Sequence, residues 1–294
     1  MNNFFILFTL CCSLLVPIKL KAATYSGSFS YNQDNNLSLG KSARDIISDD
    51  AYQLGIDIKH IILQKKSSRL TLSAAADFES FSTYDGLNSS QLKIKANYQF
   101  QFSNRFRSPT YNAFLQLGQG DYKSNLRDNI NTEIGLGINW RYDDRTFLRG
   151  GLSSLSINAD TTTDGSNLYQ TFDNQRNTLF FAIKIKQSKR LSLYSSVSLI
   201  NGDITANWST QTIDEYALSF TTIRADWETI PDTIFADNWE STKYTADITK
   251  LALGFNYALD SKSAIDAIFQ LLDADAGIYS YDIERLSVSY LRKF

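Results

Sequence analysis

The sequence predicts an all-β fold, a transmembrane antiparallel up-and-down β-barrel of about 12 strands. Three observations carry that prediction. Apolar and polar residues alternate with period two along most of the chain. The alternating runs reach about 10 to 13 residues, the length a tilted strand needs to cross a bilayer. The connections between runs are alternately short and long. A water-soluble sandwich also alternates, but its strands average about 5 or 6 residues, and no soluble fold requires that loop asymmetry.

From the N-terminus, an apolar stretch from Phe4 to Val16 is followed by Ala22 and Ala23. It is shorter than the roughly 20 residues of a membrane-spanning helix, and the small residues after it suit a cleavage site. A secretory leader over residues 1–23 is therefore expected. Both cysteines, Cys11 and Cys12, fall inside it and neither sits in a lipobox. Residues 24–294 then contain no thiol, which excludes disulfides, thiolate metal sites and cysteine nucleophiles. The chain has three prolines and no Pro- or Ser-rich linker, so 24–294 reads as one domain.

Within that domain, strands are expected at 24–32, 51–63, 69–81, 91–102, 110–120, 129–142, 146–157, 176–187, 191–204, 244–258, 264–272 and 282–294. The fourth is the clearest: Leu92, Ile94, Ala96, Tyr98, Phe100 and Phe102 alternate with Gln91, Lys93, Lys95, Asn97, Gln99 and Gln101. The sixth repeats it, with Ile130, Ile134, Leu136, Ile138, Trp140 and Tyr142 on the apolar parity. After even-numbered strands come short turns at Lys65-Lys66, Ser103 to Pro109, Asp143-Asp144-Arg145, Ser188-Lys189 and Ser261-Lys262. After odd-numbered strands the connections are mostly longer, and the longest spans about 205–243. The short turns are basic, with Lys65, Lys66, Arg105, Arg107 and Arg145, and the long loops are acidic, with Asp45, Asp49, Asp50 and Asp164. Aromatic residues collect at the short-turn end, as interfacial belts do.

The last strand adds a resemblance. Leu286, Val288 and Tyr290 alternate with Arg285, Ser287 and Ser289 and run into a terminal Phe294. An amphipathic final strand ending on an aromatic residue resembles the ending of Gram-negative outer-membrane β-barrel proteins. Arg292 departs from that pattern, standing where a third apolar residue is usual. The resemblance implies outer-membrane localisation, short periplasmic turns and long external loops. Its implied partners are outer-membrane lipid, lipopolysaccharide and the barrel-assembly machinery that reads the final strand. It reaches no subfamily and assigns no site.

If the apolar parity faces lipid, the lumen receives Lys59, Lys93, Lys95, Arg141, Arg149, Lys184, Lys186, Lys250, Arg285 and Lys293 against Asp57, Asp77, Glu79, Glu133 and Asp266. Cationic rings select for anions, so a channel for small anionic or sugar-like solutes is expected. The competing reading is a closed lattice of ion pairs. Pairing of the third and fourth strands around Gly86 would set Asp77 opposite Lys95 and Glu79 opposite Lys93. Gly118, Gly120, Gly135, Gly137 and Gly151 fall on the inward parity, marking sharp curvature or a smooth strip for a ligand. In the 205–243 loop, Trp208, Tyr216, Trp227 and Trp239 are the candidate ligand contacts, with packing inside the loop as the default for them.

Catalysis finds little support. The single histidine, His60, falls on the lipid-facing parity opposite Ala74 or Leu72, with no hydroxyl placed for activation. Acidic pairs such as Asp226 and Glu228 read as solvated loop chemistry. No metal ligand set and no cofactor is expected, and a net charge of −2 argues against nucleic acid. A non-conducting surface barrel and a translocator for a secreted partner are the remaining alternatives.

Overall fold

A computed structural model describes residues 23–103, 105–159, 171–210, 229–277 and 280–294. The expected leader lies almost wholly outside them. The strands are β1 (Ala23–Asp34), β2 (Asp49–Gln64), β3 (Ser68–Phe81), β4 (Ser89–Phe100), β5 (Thr110–Tyr122), β6 (Asn129–Arg141), β7 (Thr146–Ala159), β8 (Asn174–Lys186), β9 (Leu191–Ser209), β10 (Thr229–Pro231), β11 (Trp239–Ala258), β12 (Ser263–Asp275) and β13 (Ser280–Lys293). Each long strand pairs antiparallel with its neighbours in sequence. The ring closes where β13 meets β1, and β9 pairs with β11. Twelve long strands form the wall, and the three-residue β10 lies along β11 where β12 has ended.

The C-terminal residue seals the seam. Phe294 N–H donates to the Tyr25 carbonyl at 3.0 Å, continuing the Ser26–Lys293 register. Its ring lies over Gly27, 3.5 Å from where a Cβ on that residue would stand, an ordinary packing distance.

Outward positions carry large apolar side chains left bare, among them Leu54 at 51%, Leu136 at 57% and Leu253 at 63% exposure. Monomeric soluble proteins do not expose apolar surface on that scale; a barrel whose outer wall meets lipid does. At the turn end, Phe100 stacks on Tyr111 at 5.4 Å, and Trp140 meets Tyr142 edge-on while donating to the Arg107 carbonyl at 3.0 Å. These rings have an apolar body and a polar contact, which suits them to a membrane interface.

The loop asymmetry holds in part, since the turn-end connection 101–109 is longer than 82–88 and 123–128 at the other end. The turn-end connections are 65–67, 101–109, 142–145, 187–190 and 259–262. The other end has 35–48, 82–88, 123–128, 160–173 and 210–238, but also 276–279, which is as short as a turn.

Two expectations are corrected. Residues 205–209 and 239–243 are strand and not loop, because β9 and β11 keep pairing from Ile204–Tyr244 to Ser209–Trp239 after the β8–β9 ladder has ended at Arg176–Gly202 and the β11–β12 ladder at Asp247–Asp275. Each edge strand supplies the other's hydrogen bonds, so neither has to end where its outer neighbour does. The β3–β4 register is also displaced. Asp77 stands opposite Gln91, Glu79 opposite Ser89, Lys93 opposite Ala75 and Lys95 opposite Ser73. The connection closes early because the Asn88 carboxamide oxygen accepts from Phe81 N–H at 2.7 Å and residues 85–87 coil into a 3₁₀ turn.

Candidate solute pathway in the barrel lumen

The cross-strand register puts every charged residue assigned to the lumen on one face of the sheet. Lys59 follows Asp57 along β2, Asp77 and Glu79 line β3, and Lys93 and Lys95 line β4. Glu133 and Arg141 lie on β6, Arg149 on β7, Lys184 and Lys186 on β8, Lys250 on β11, Asp266 on β12, and Arg285 and Lys293 on β13. Three of the ten cations form ion pairs: Lys93 with Asp77 at 3.3 Å, Arg285 with Asp34 at 2.5 Å, and Arg141 with Asp144 at 3.7 Å at the rim. The first is diagonal, since Lys93 faces Ala75 and reaches one step along the strand, a distance within range of a long side chain. The other seven have no ion-pair partner among the described residues.

Several unpaired cations instead lie on inward-facing rings. Lys95 Nζ sits 3.7 Å above the Phe114 ring, Arg149 is 5.2 Å from Phe180, and Lys186 is 5.0 Å from Phe147, which also meets Arg141 at 5.4 Å. A cation over a ring face gains about 0.5–1 kcal/mol at an exposed site, so the ring steadies the charge without neutralising it. The glycines explain how the rings fit. A Cβ on Gly135 would lie 2.5 Å from the Phe114 ring, one on Gly151 2.9 Å from Phe180, and one on Gly254 2.5 Å from Tyr194. Each aromatic residue lies across its neighbour's missing side chain and turns its other face or edge to the lumen. Tyr194 follows the same arrangement with opposite polarity, its hydroxyl donating to Asp266 at 2.6 Å. Gly118 and Gly137 are covered by the amides of Asn131 and Asn112. The glycine strip is therefore filled by side chains from adjacent strands.

Lys59, Arg149, Lys184 and Lys186 point inward yet remain exposed, so the turn-end half of the lumen is open to solvent. The loop end is built differently. The 35–48 connection folds across the mouth and docks on the free edge of β9, where Asn207 N–H donates to the Ser38 carbonyl at 2.8 Å and Ser209 N–H to Asp45 at 3.1 Å. Ser38 and Asp45 are wholly buried there. One face of the β9–β11 extension, with Ile204, Ala206 and Trp208, packs with Ile248, Ala274, Tyr281 and Leu39. Its other face carries Asn207 and Ser241. Ser241 donates to Asp232 at 2.6 Å, and Arg127 from the 123–128 connection meets the same carboxylate at 2.6 Å. Asp232 has no exposed surface. Burial raises its pKa, but Arg127 and the hydrogen bonds from Arg127, Ser241 and Ile234 N–H outweigh that and hold the carboxylate below its ordinary range. Phe235 meets Tyr84 at 5.1 Å and Trp239 at 5.0 Å, completing a lid.

Of the loop candidates, Trp208 and Trp239 are buried strand residues, and Trp208 Nε1 donates to Thr242 at 3.0 Å. Both side chains are packed inside the described structure. Tyr216 and Trp227 lie outside the described residues. His60 stands opposite Leu72 and Ala23 on the outer face. No group of three or more His, Cys, Asp or Glu able to hold a metal occurs among the described residues. Sequence reasoning missed Arg176, which shares the inward parity of Lys184, and the inward rings, whose only signal was a phenylalanine on the polar parity beside a glycine strand. The Arg127–Asp232 pair had no sequence signal, since loop contacts follow no period.

No protein-family model matches the chain, and no curated protein matches its sequence. Solved structures do match in shape. An outer-membrane channel from Pseudomonas putida F1 superposes with a TM-score of 0.57 at 12% identity, over 95% of this chain and 100% of that one. The KdgM porin in complex with disordered oligogalacturonate gives 0.50 at 10% identity, over 92% and 99%. The chain has the fold of Gram-negative outer-membrane β-barrel proteins. At such identities the likeness concerns the fold alone.

Proposed function

We propose that this protein is an outer-membrane channel for the diffusion of small anionic or sugar-like solutes. It reaches that membrane through a leader over residues 1–23 and assembles through its Phe294 strand, with its outer wall in lipid and its acidic loops against lipopolysaccharide. The observation that carries the reading is the set of inward cations at the turn end, Lys59, Arg149, Lys184 and Lys186, which are exposed and lack ion-pair partners among the described residues. A lattice built only to fill the lumen would pair its charges, because an uncompensated charge gains nothing by facing inward. Rings under Arg149 and Lys186 hold those cations against the wall. The oligogalacturonate of one structural neighbour is a polyanionic sugar, a chemistry that these side chains suit.

The closed mouth favours a second reading, a non-conducting surface barrel whose lid engages a partner. Conductance in planar bilayers separates the two. The channel reading expects anion-selective current, rising when residues 210–238 are removed. Absence of current from both the full chain and the deletion would overturn it.

A further inference from the structure

The outer wall of the barrel carries a furrow of about 900 Å3, on the face turned away from the lumen. It crosses six strands, from β5 to β11, between two rows of outward side chains in cross-strand register. Leu136, Leu152, Leu179 and Leu199 form one bank, and Ile134, Ser154, Asn177, Asn201 and Asp247 form the other. All nine side chains are exposed. The floor is the backbone between the rows, left open because Ser154 is too short to reach across to the leucines. The furrow also climbs. Ala113 stands three residues from the turn end of β5, and Thr249 nine residues from that of β11. Nine less three is six residues, which at about 3.3 Å each is about 20 Å along the strands. For strands tilted by about 40° this is about 15 Å along the membrane normal. One leaflet of a hydrocarbon core of about 30 Å has that depth.

The chemistry of the furrow changes as it rises. Its low end, at Ala113, Ile134, Leu136 and Leu152, is apolar. Its high end carries Asn177, Asn201, Asp247 and Thr249, where the Asn201 amide donates to Asp247 at 2.7 Å. The two rows continue beyond it onto β12, at Asp275 opposite Asp247 and Asp273 opposite Thr249. These three carboxylates are exposed and have no ion-pair partner among the described residues. An apolar trough that ends in carboxylates one leaflet higher has the polarity of an amphiphile with a cationic head. An anionic lipid would set its phosphate against those carboxylates with no positive group of its own to offset them. We propose that the furrow binds one zwitterionic phospholipid, its acyl chain between the leucine bank and Ser154 and its ammonium group at Asp247.

The test is native mass spectrometry of the full chain in detergent with equimolar phosphatidylethanolamine and phosphatidylglycerol. A complex with one lipid is expected, with phosphatidylethanolamine favoured by about two- to fivefold, as an exposed ion pair supports. Ser154→Trp fills the trough and should abolish that complex. Asp247→Asn should keep the complex and lose the preference. Leu253→Trp, an equally lipid-facing change outside the furrow, should alter neither. All three substitutions point outward, so the barrel can assemble around them. Absence of a one-lipid complex from the unsubstituted protein, or a preference for phosphatidylglycerol, would overturn the proposal. Equal losses in Ser154→Trp and Leu253→Trp would mean lipid held anywhere on the wall, and would overturn it as well. Conductance does not enter, so failure here leaves the channel reading intact, and the converse holds.

Discussion

The two ends of one lumen handle charge in opposite ways. At the turn end, Lys59, Lys184 and Lys186 face inward, remain exposed and have no ion-pair partner among the described residues. At the loop end Asp232 is fully buried, bound by Arg127 and Ser241, and covered by chain from two connections. The wall is the same regular sheet throughout, so the difference comes from what lies across it. Where only strands face the lumen, a side chain has no partner beyond its cross-strand neighbours. Where connections fold back, partners arrive from distant parts of the sequence. An open vestibule and a latched lid therefore coexist in one barrel.

Breaking the latch should have the largest effect. Arg127→Ala leaves the Asp232 carboxylate buried without its cation, a loss of about 3–5 kcal/mol for such pairs. Opening of the lid should follow, read as higher single-channel conductance and faster proteolysis within 229–238. The pH dependence sharpens the same point. Asp232 has its pKa lowered from 3.8, so its contribution to closure is complete above about pH 4 and fades as pH falls through the depressed value. Conductance should be flat from pH 5 to 8 and rise only in stronger acid. A rise centred near pH 6 would point to another group.

Next come the rings. Gly135→Val would drive a side chain into Phe114 and toward the Leu152 carbonyl, costing about 1–3 kcal/mol. Thermal unfolding in detergent should shift down, and Lys95 should lose its support. Replacing Lys184 and Lys186 by glutamate should move selectivity toward cations, each charge changing a passing ion's energy by about 1 kcal/mol at 4 Å in water. The smallest effect is expected at a turn. The Asp143 carboxylate accepts from Arg145 and Thr146 N–H, both at 2.7 Å, and those bonds hold its pKa below the usual value. Asp143→Ala should cost about 1 kcal/mol and leave conductance unchanged.

These contrasts also mark what the sequence made legible. Alternation with period two is a property of single strands, so strand positions and the inward parity of most charges could be read directly, Arg176 being the one passed over on β8. Register belongs to strand pairs, and it slipped between β3 and β4 because the Asn88 contact closes that connection earlier than a symmetric loop around Gly86 would. The inward rings required register as well: Phe114 looks like an error in the pattern until Gly135 is known to stand beside it. The lid was least legible. The strand character of 205–209 and 239–243 depends on β9 and β11 finding each other beyond the end of their neighbours, and the Arg127–Asp232 pair joins residues with no local relation.

The proposed role of the turn-end cations is to define a pathway for anions. Reversal potential across a planar bilayer under a potassium chloride gradient tests it most directly, measured on the full chain and on a variant lacking residues 210–238. Preference for chloride is expected in the deletion at least, reduced by Lys184→Glu with Lys186→Glu. Preference for potassium, or no current from either protein, would contradict it.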